Sequence, residues 1–186
     1  MSAYYKKIEI EDIEIIQCKV LEFIKARPDI YFRKSATSYN WLDVPDLLRH
    51  CPELVTSFAK FDLKIVFAAS HCMWNNLQSI VHIDRVPWEC RINVPILNTK
   101  GSSTVFYTNV QYKEDVHVMA DGRKYDVYTT TNTDFIEADR VEIDQPTVLR
   151  VRAAHRVIMN KFTAPRINLT LGFNKDPVYM LDGGVQ

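Results

Sequence analysis

Three short segments of this chain hold residues whose types and spacing can do chemistry. The first is His82-Ile83-Asp84. Residues two apart on an extended chain point to the same side, so the imidazole and the carboxylate can converge on one ion. The second is His155, in TVLRVRAAHRVIM. Read as one extended strand, that segment puts Val151, Ala153, His155 and Val157 on one face and Arg150, Arg152 and Arg156 on the other. The small neighbours Ala153 and Ala154 leave room for an ion beside the ring. The third is RINLTLGF, which begins eleven residues after His155. There Arg166, Asn168 and Thr170 share one face, and Ile167, Leu169, Leu171 and Phe173 share the other. An arginine buried on such a strand needs a partner, and its planar fork suits a carboxylate. Each segment also has a plain structural reading: a His–Asp hydrogen bond at a strand end, a satisfied core histidine, an internal salt bridge.

Taken together the segments form a pattern. Two histidines and a carboxylate on one face of a metal make the triad of non-haem iron(II) oxygenases, which leaves the other positions for co-substrate and oxygen. HxD, a distal His and an Arg about ten residues further on resemble the 2-oxoglutarate and iron(II)-dependent oxygenase superfamily. That resemblance covers about Leu63 to Phe173. It implies a double-stranded β-helix, iron(II) held by His82, Asp84 and His155, and Arg166 on the distal carboxylate of 2-oxoglutarate.

A narrower likeness exists. HIDRVPWECRINVPIL is similar to the segment around the first metal histidine of aspartyl/asparaginyl β-hydroxylase-like proteins. The likeness implies that Arg91 and Asn93 contact the co-substrate. The chain departs from that hydroxylase at Asp84, where the hydroxylase carries glycine and does without the carboxylate ligand. The tripeptide Arg-Ile-Asn also occurs twice, at Arg91–Asn93 and Arg166–Asn168. Two strands presenting Arg91, Asn93, Arg166 and Asn168 toward a common interior would suit a small dicarboxylate; the alternative for Arg91 is solvent. RINLTLGF further resembles the Arg-aromatic-Asn-Leu-Thr strand of nucleic-acid dealkylating members of the superfamily. Among the other histidines, His71 in ASHCMW is a candidate contact to a metal ligand or to substrate. His50 belongs on a helix surface, and His117 reads as part of a polar connection. Trp74 and Trp88 are either pocket walls or core.

Elements must position these groups. Residues up to about Phe61 read as helical. Ile13, Ile16, Val20 and Ile24 recur at the spacing of one helix face, and Pro28 stops that helix. A second helical stretch covers Val44 to Ala59, with Pro45 suited to a first turn and Pro52 to a break. From Leu63 the pattern becomes strand: LKIVFAAS, LQSIVHID, CRINVPIL, STVFYTNV, KYDVYTT, RVEID, TVLRVRAAHRVIM and RINLTLGF, separated by turn-like pieces such as NTKGSS and ADGRK. Eight strands after a helical start predict a mainly β, cupin-like double-sheet jelly roll with the N-terminal helices packed on one face. One domain is expected: helices over 1–61, the β core over 62–174, and a tail over 175–186.

The bulk numbers exclude several classes. Lys plus Arg and Asp plus Glu both total 23, so a broad nucleic-acid surface is not expected. No apolar run approaches the ~20 residues of a membrane span, and the start MSAYYKKIEIED lacks a signal peptide's apolar segment, so a cytoplasmic protein is expected. The four cysteines form no CxxC pair and read as reduced and buried rather than as a zinc site. The expected activity is that of an Fe(II)/2-oxoglutarate dioxygenase. It would hydroxylate an amino-acid or protein side chain, within a small-molecule or peptide substrate, with O2 and release succinate and CO2. The rivals are a cupin-like metal protein or isomerase without 2-oxoglutarate, and a non-catalytic structural jelly roll.

Overall fold

The computed structural model describes residues 2–31, 39–74, 79–118, 124–161 and 163–182. The apolar spacing near the N-terminus winds Ile13–Lys25 into α1, which buries Ile16, Val20, Phe23 and Ile24. Pro28 opens a short α2 (Pro28–Tyr31). Pro45 lies in the first turn of α3 (Val44–His50), where the Asp43 carboxylate accepts from the Asp46 amide as an N-cap. Pro52 separates α3 from α4 (Glu53–Ala59), as its spacing predicts. None of the described helices is long and apolar enough to cross a membrane.

The rest is mainly strand. In chain order the described strands are β1 (Tyr5–Lys7), β2 (Tyr39–Trp41), β3 (Ile65–Met73), β4 (His82–Asp84), β5 (Cys90–Leu97), β6 (Ser102–Thr108), β7 (Tyr112–Val118), β8 (Lys124–Thr130), β9 (Ile136–Glu142), β10 (Thr147–Arg150), β11 (His155–Met159) and β12 (Arg166–Phe173). They form two antiparallel six-stranded sheets. The first has the order β1-β10-β5-β12-β3-β2, the second β7-β8-β4-β11-β6-β9.

Alternation decides which way the first sheet faces. On β5, Cys90, Ile92, Val94 and Ile96 join the main apolar core; on β12, Ile167, Leu169, Leu171 and Phe173 do so. The same core holds Ile16, Val20, Leu47, Leu54 and Phe58 of the helices, so the helices cover that face. The intervening residues of β5 and β12 must then point at the second sheet. Contacts between sheets confirm the packing. Tyr39 of β2 and Tyr125 of β8 stand 5.9 Å apart, and Phe106 of β6 clusters with Leu149 of β10.

Several sequence expectations need correction. TVLRVRAAHRVIM is two strands in different sheets: the chain turns after Arg150, where the Ala153 amide bonds the Arg150 carbonyl at 3.2 Å, and β11 begins at His155. The helical start contributes β1 and β2 as edges of the first sheet. His117 lies on β7, an edge strand, rather than in a connection. LQSIVHID yields only the three-residue β4; its Leu77 and Gln78 lie outside the described residues, as do most of ADGRK and the end of the tail, 183–186. Cys51, Cys72 and Cys90 are buried free thiols, but Cys18 is exposed.

Candidate metal centre

β4 and β11 are neighbours, and the pairing places His82 opposite His155. Directly paired residues of antiparallel strands project to the same face with their side chains close together. The two imidazole centroids are accordingly 4.5 Å apart. Asp84, two residues on, shares that face, and its Oδ1 lies 3.5 Å from His82 Nε2. One ligand atom from each of His82, Asp84 and His155 falls within 4.8 Å of the others, a group able to hold a metal ion. Ile83 points the other way, into the small apolar cluster of Val81, Val105, Tyr107 and Ala154 on the outer side of the second sheet.

The histidines are also set in the right tautomer. His82 Nδ1 lies 2.9 Å from the Ile80 carbonyl, and His155 Nδ1 lies 2.8 Å from the Ala153 carbonyl. A carbonyl only accepts, so each Nδ1 carries the hydrogen and each Nε2 keeps its lone pair for an ion. Metal-binding histidines are oriented by a bond of this kind at the other nitrogen. Burial first, then the nearby His155, lower the His82 pKa, which keeps the ring in its neutral, ligating form.

The first sheet supplies the opposite wall. Arg166 is 2% exposed, Asn168 2% and Arg91 7%. Arg166 Nε donates to Ser102 Oγ of the second sheet at 2.7 Å, and Nη1 has no hydrogen-bond partner. Among the described residues no acidic side chain pairs with Arg166. Desolvation alone lowers its pKa, to about 10, so it remains a buried cation at neutral pH. Asn168 Oδ1 is likewise buried without a partner. Such groups are costly to bury unsatisfied. A carboxylate would accept from the free Arg166 N–H, and Asn168 Oδ1 would need a donor such as a hydroxyl or a water. The residues therefore fit both a divalent metal and an anionic co-ligand. Asn93 is half-buried and its Oδ1 accepts from Thr170 Oγ1 at 2.8 Å, while Arg91 lies over the Phe67 ring at 4.2 Å from its centroid.

His71 projects from β3 into the same space. It pairs in register with Asn168 and Tyr39, and its ring meets Tyr39 edge-on at 5.3 Å. Burial, then the charge of Arg166, press its pKa down to about 3, so it is neutral. Trp74 is not a wall of this space: its indole N–H donates to the Tyr31 carbonyl, and its ring packs against the helix-side core. His50 is exposed at the end of α3, as expected.

Sequence reasoning missed Ser102, Tyr39 and Tyr125. The β8 alternation could have flagged Tyr125, because Val127 pairs with Asp84 and Tyr125 shares its face. Burial, followed by Asp84, pushes the Tyr125 phenol far above its ordinary range. Ser102 carries no signal in sequence; only the fold brings β6 beneath Arg166.

No family model and no curated protein matches the chain. Among solved structures it is similar to AviO1 from Streptomyces viridochromogenes Tue57, with a TM-score of 0.49 and 16% identity over 94% of this chain and 90% of that one.

Proposed function

We propose that the chain is an iron(II)- and 2-oxoglutarate-dependent oxygenase on a double-stranded β-helix. The observation that carries this reading is one inter-sheet space holding both halves of the chemistry. Two Nε2 atoms and a carboxylate converge on one wall, and a buried Arg166 whose Nη1 has no hydrogen-bond partner stands on the other. His82, Asp84 and His155 would hold the metal through one face, leaving positions for small ligands. Arg166, oriented by Ser102, would take the distal carboxylate of 2-oxoglutarate, with Asn168 beside it. The iron, when bound with that co-substrate, supplies the oxidising power by which O2 hydroxylates a substrate with release of succinate and CO2.

The chain's own residues do the remaining work. The paired strands fix the ligand geometry before the ion arrives. The Ile80 and Ala153 carbonyls hold the rings in orientation. Neutral His71 and the phenols of Tyr39 and Tyr125 line the space without adding a charge to it. The primary substrate is read as a small molecule or peptide side chain. An anaerobic titration with iron(II) and then 2-oxoglutarate tests the proposal: the weak visible charge-transfer band of the chelate should grow to one equivalent. Metal binding without that band would favour a cupin-like metal protein, and no metal binding a structural role.

A further inference from the structure

Arg166 is not the sole orphaned cation between the sheets. Arg91 is 7% exposed, and its Nε and Nη1 are buried with no hydrogen-bond partner. No acidic side chain among the described residues pairs with it. Its guanidinium does not lean toward Arg166. It reaches sideways across Gly172, where a Cβ would come within 3.5 Å of Nη1, and lies over Phe67. Gly172 is near the far end of β12 from Arg166, a separation of roughly 20 Å at ~3.3 Å per residue. Arg91 therefore serves a different level of the inter-sheet space from Arg166.

The surroundings of Arg91 describe a ligand. Phe67 forms its floor, and Trp41 meets Phe67 edge-on at 5.9 Å. Trp41 sits on the edge strand β2 and is 37% exposed, so an aromatic track runs from the surface inward to Arg91. Tyr39 and Tyr125 are close enough to feel the charge of Arg91, and Tyr125 also feels that of Asp84. Tyr39, two residues before Trp41 on β2, stands 5.9 Å from Tyr125 of β8, the strand paired with β4 and its Asp84, so the same edge strand connects this track to the metal wall.

We propose that Arg91 is the anchor for a carboxylate on the primary substrate, with Phe67 and Trp41 flanking a planar or apolar part of the same molecule. The anion site itself rests on Arg91; its naming as the primary-substrate site rests on the oxygenase reading. A buried guanidinium with free N–H groups is a strong, charge-assisted receptor for such a group.

The test uses a panel of small arylcarboxylates, each with its neutral amide, titrated anaerobically while intrinsic fluorescence is followed. Protein is used metal-free and, separately, loaded with iron(II) and 2-oxoglutarate. Acids should bind at least ten-fold more tightly than their amides. Arg91→Gln should abolish that discrimination and Arg91→Lys should retain part of it, while 2-oxoglutarate affinity read from the chelate band moves less than three-fold in both. Circular dichroism and a thermal melt check that the variants fold. Equal binding of acids and amides across the panel overturns the proposal. So does a loss of 2-oxoglutarate affinity in Arg91→Gln as large as that in Arg166→Ala, which would return Arg91 to the co-substrate. A missing chelate band in wild-type protein overturns the oxygenase reading instead, and the metal-free titration then still decides the anion site.

Discussion

At the scale of single residues, the metal wall depends on two lone pairs and one carboxylate. His82→Ala and His155→Ala each remove one of two nitrogens held ready by a backbone carbonyl. Both variants should fold, lose stoichiometric iron(II) in metal analysis after dialysis, and lose turnover. Wild-type metal content in both would end the assignment. Asp84→Ala should be severely impaired by the same assay. Arg166 acts differently, because it faces the metal wall and contributes no ligand atom. A charge-assisted contact of this type is worth roughly 1.5–3 kcal/mol, so Arg166→Ala should weaken 2-oxoglutarate by about ten-fold to more than a hundred-fold. Iron affinity should change much less. Titration of the chelate band in the variant measures the first quantity and metal analysis the second; an unchanged co-substrate affinity would move the role to another residue.

At the scale of elements, the turn between β5 and β6 sets the position of Ser102 and through it Arg166. Gly101 in that turn has φ +81°, and a Cβ there would sit 2.8 Å from the Lys161 carbonyl oxygen. The Gly101 carbonyl in turn accepts from the Asn160 and Lys161 amides, and its own amide donates to Glu142 at 2.7 Å. Gly101→Ala should destabilise the protein by about 1–3 kcal/mol, the usual cost of forcing a side chain into such backbone. Because Ser102 follows directly, the variant should also weaken 2-oxoglutarate. Urea denaturation and the chelate titration check the two effects, and a variant that melts like wild type would deny the turn this role.

Elements also differ in how legible they were. CRINVPIL, KYDVYTT and RINLTLGF match β5, β8 and β12 at both ends, because each is a short run that alternates polar and apolar residues and is rich in β-branched or aromatic ones. YKEDVHV escaped notice, since β7 is an edge strand exposed along most of its length and carries a polar sequence. The break inside TVLRVRAAHRVIM was invisible for the opposite reason: β-branched and small residues run through it, and nothing in its period marks a change of sheet.

At the scale of the whole molecule, the space between the sheets stores groups kept from their preferred charge state. His71 is depressed to about 3, whereas a histidine in an unfolded chain titrates near ~6.5. Below that value the unfolded state binds a proton that the folded state refuses, so stability must fall as pH drops from about 6.5 toward 3. The slope approaches ~1.4 kcal/mol per pH unit for one such group. His82, also depressed, adds in the same direction. Urea melts of metal-free protein at about pH 7.5 and about pH 5.5 should show the loss, and His71→Asn should reduce it. Stability that is flat or rises toward acid would contradict the burial described for these rings.

The sequence by itself determined the local facts. It specified which residues alternate on β5 and β12, which helix face is apolar, and that His82 and Asp84 share a side, because these follow from periods of two and 3.6 along a continuous chain. The tertiary structure alone decided the pairings. It set His155 opposite His82 across strands far apart in sequence, hung Arg166 on Ser102, and brought Tyr39 against Tyr125. It also put Arg91 and Arg166 at different levels of adjacent strands, although the same tripeptide carries both. Register between strands is fixed by turns and by packing on a shared core, and neither is written in the period of any one strand.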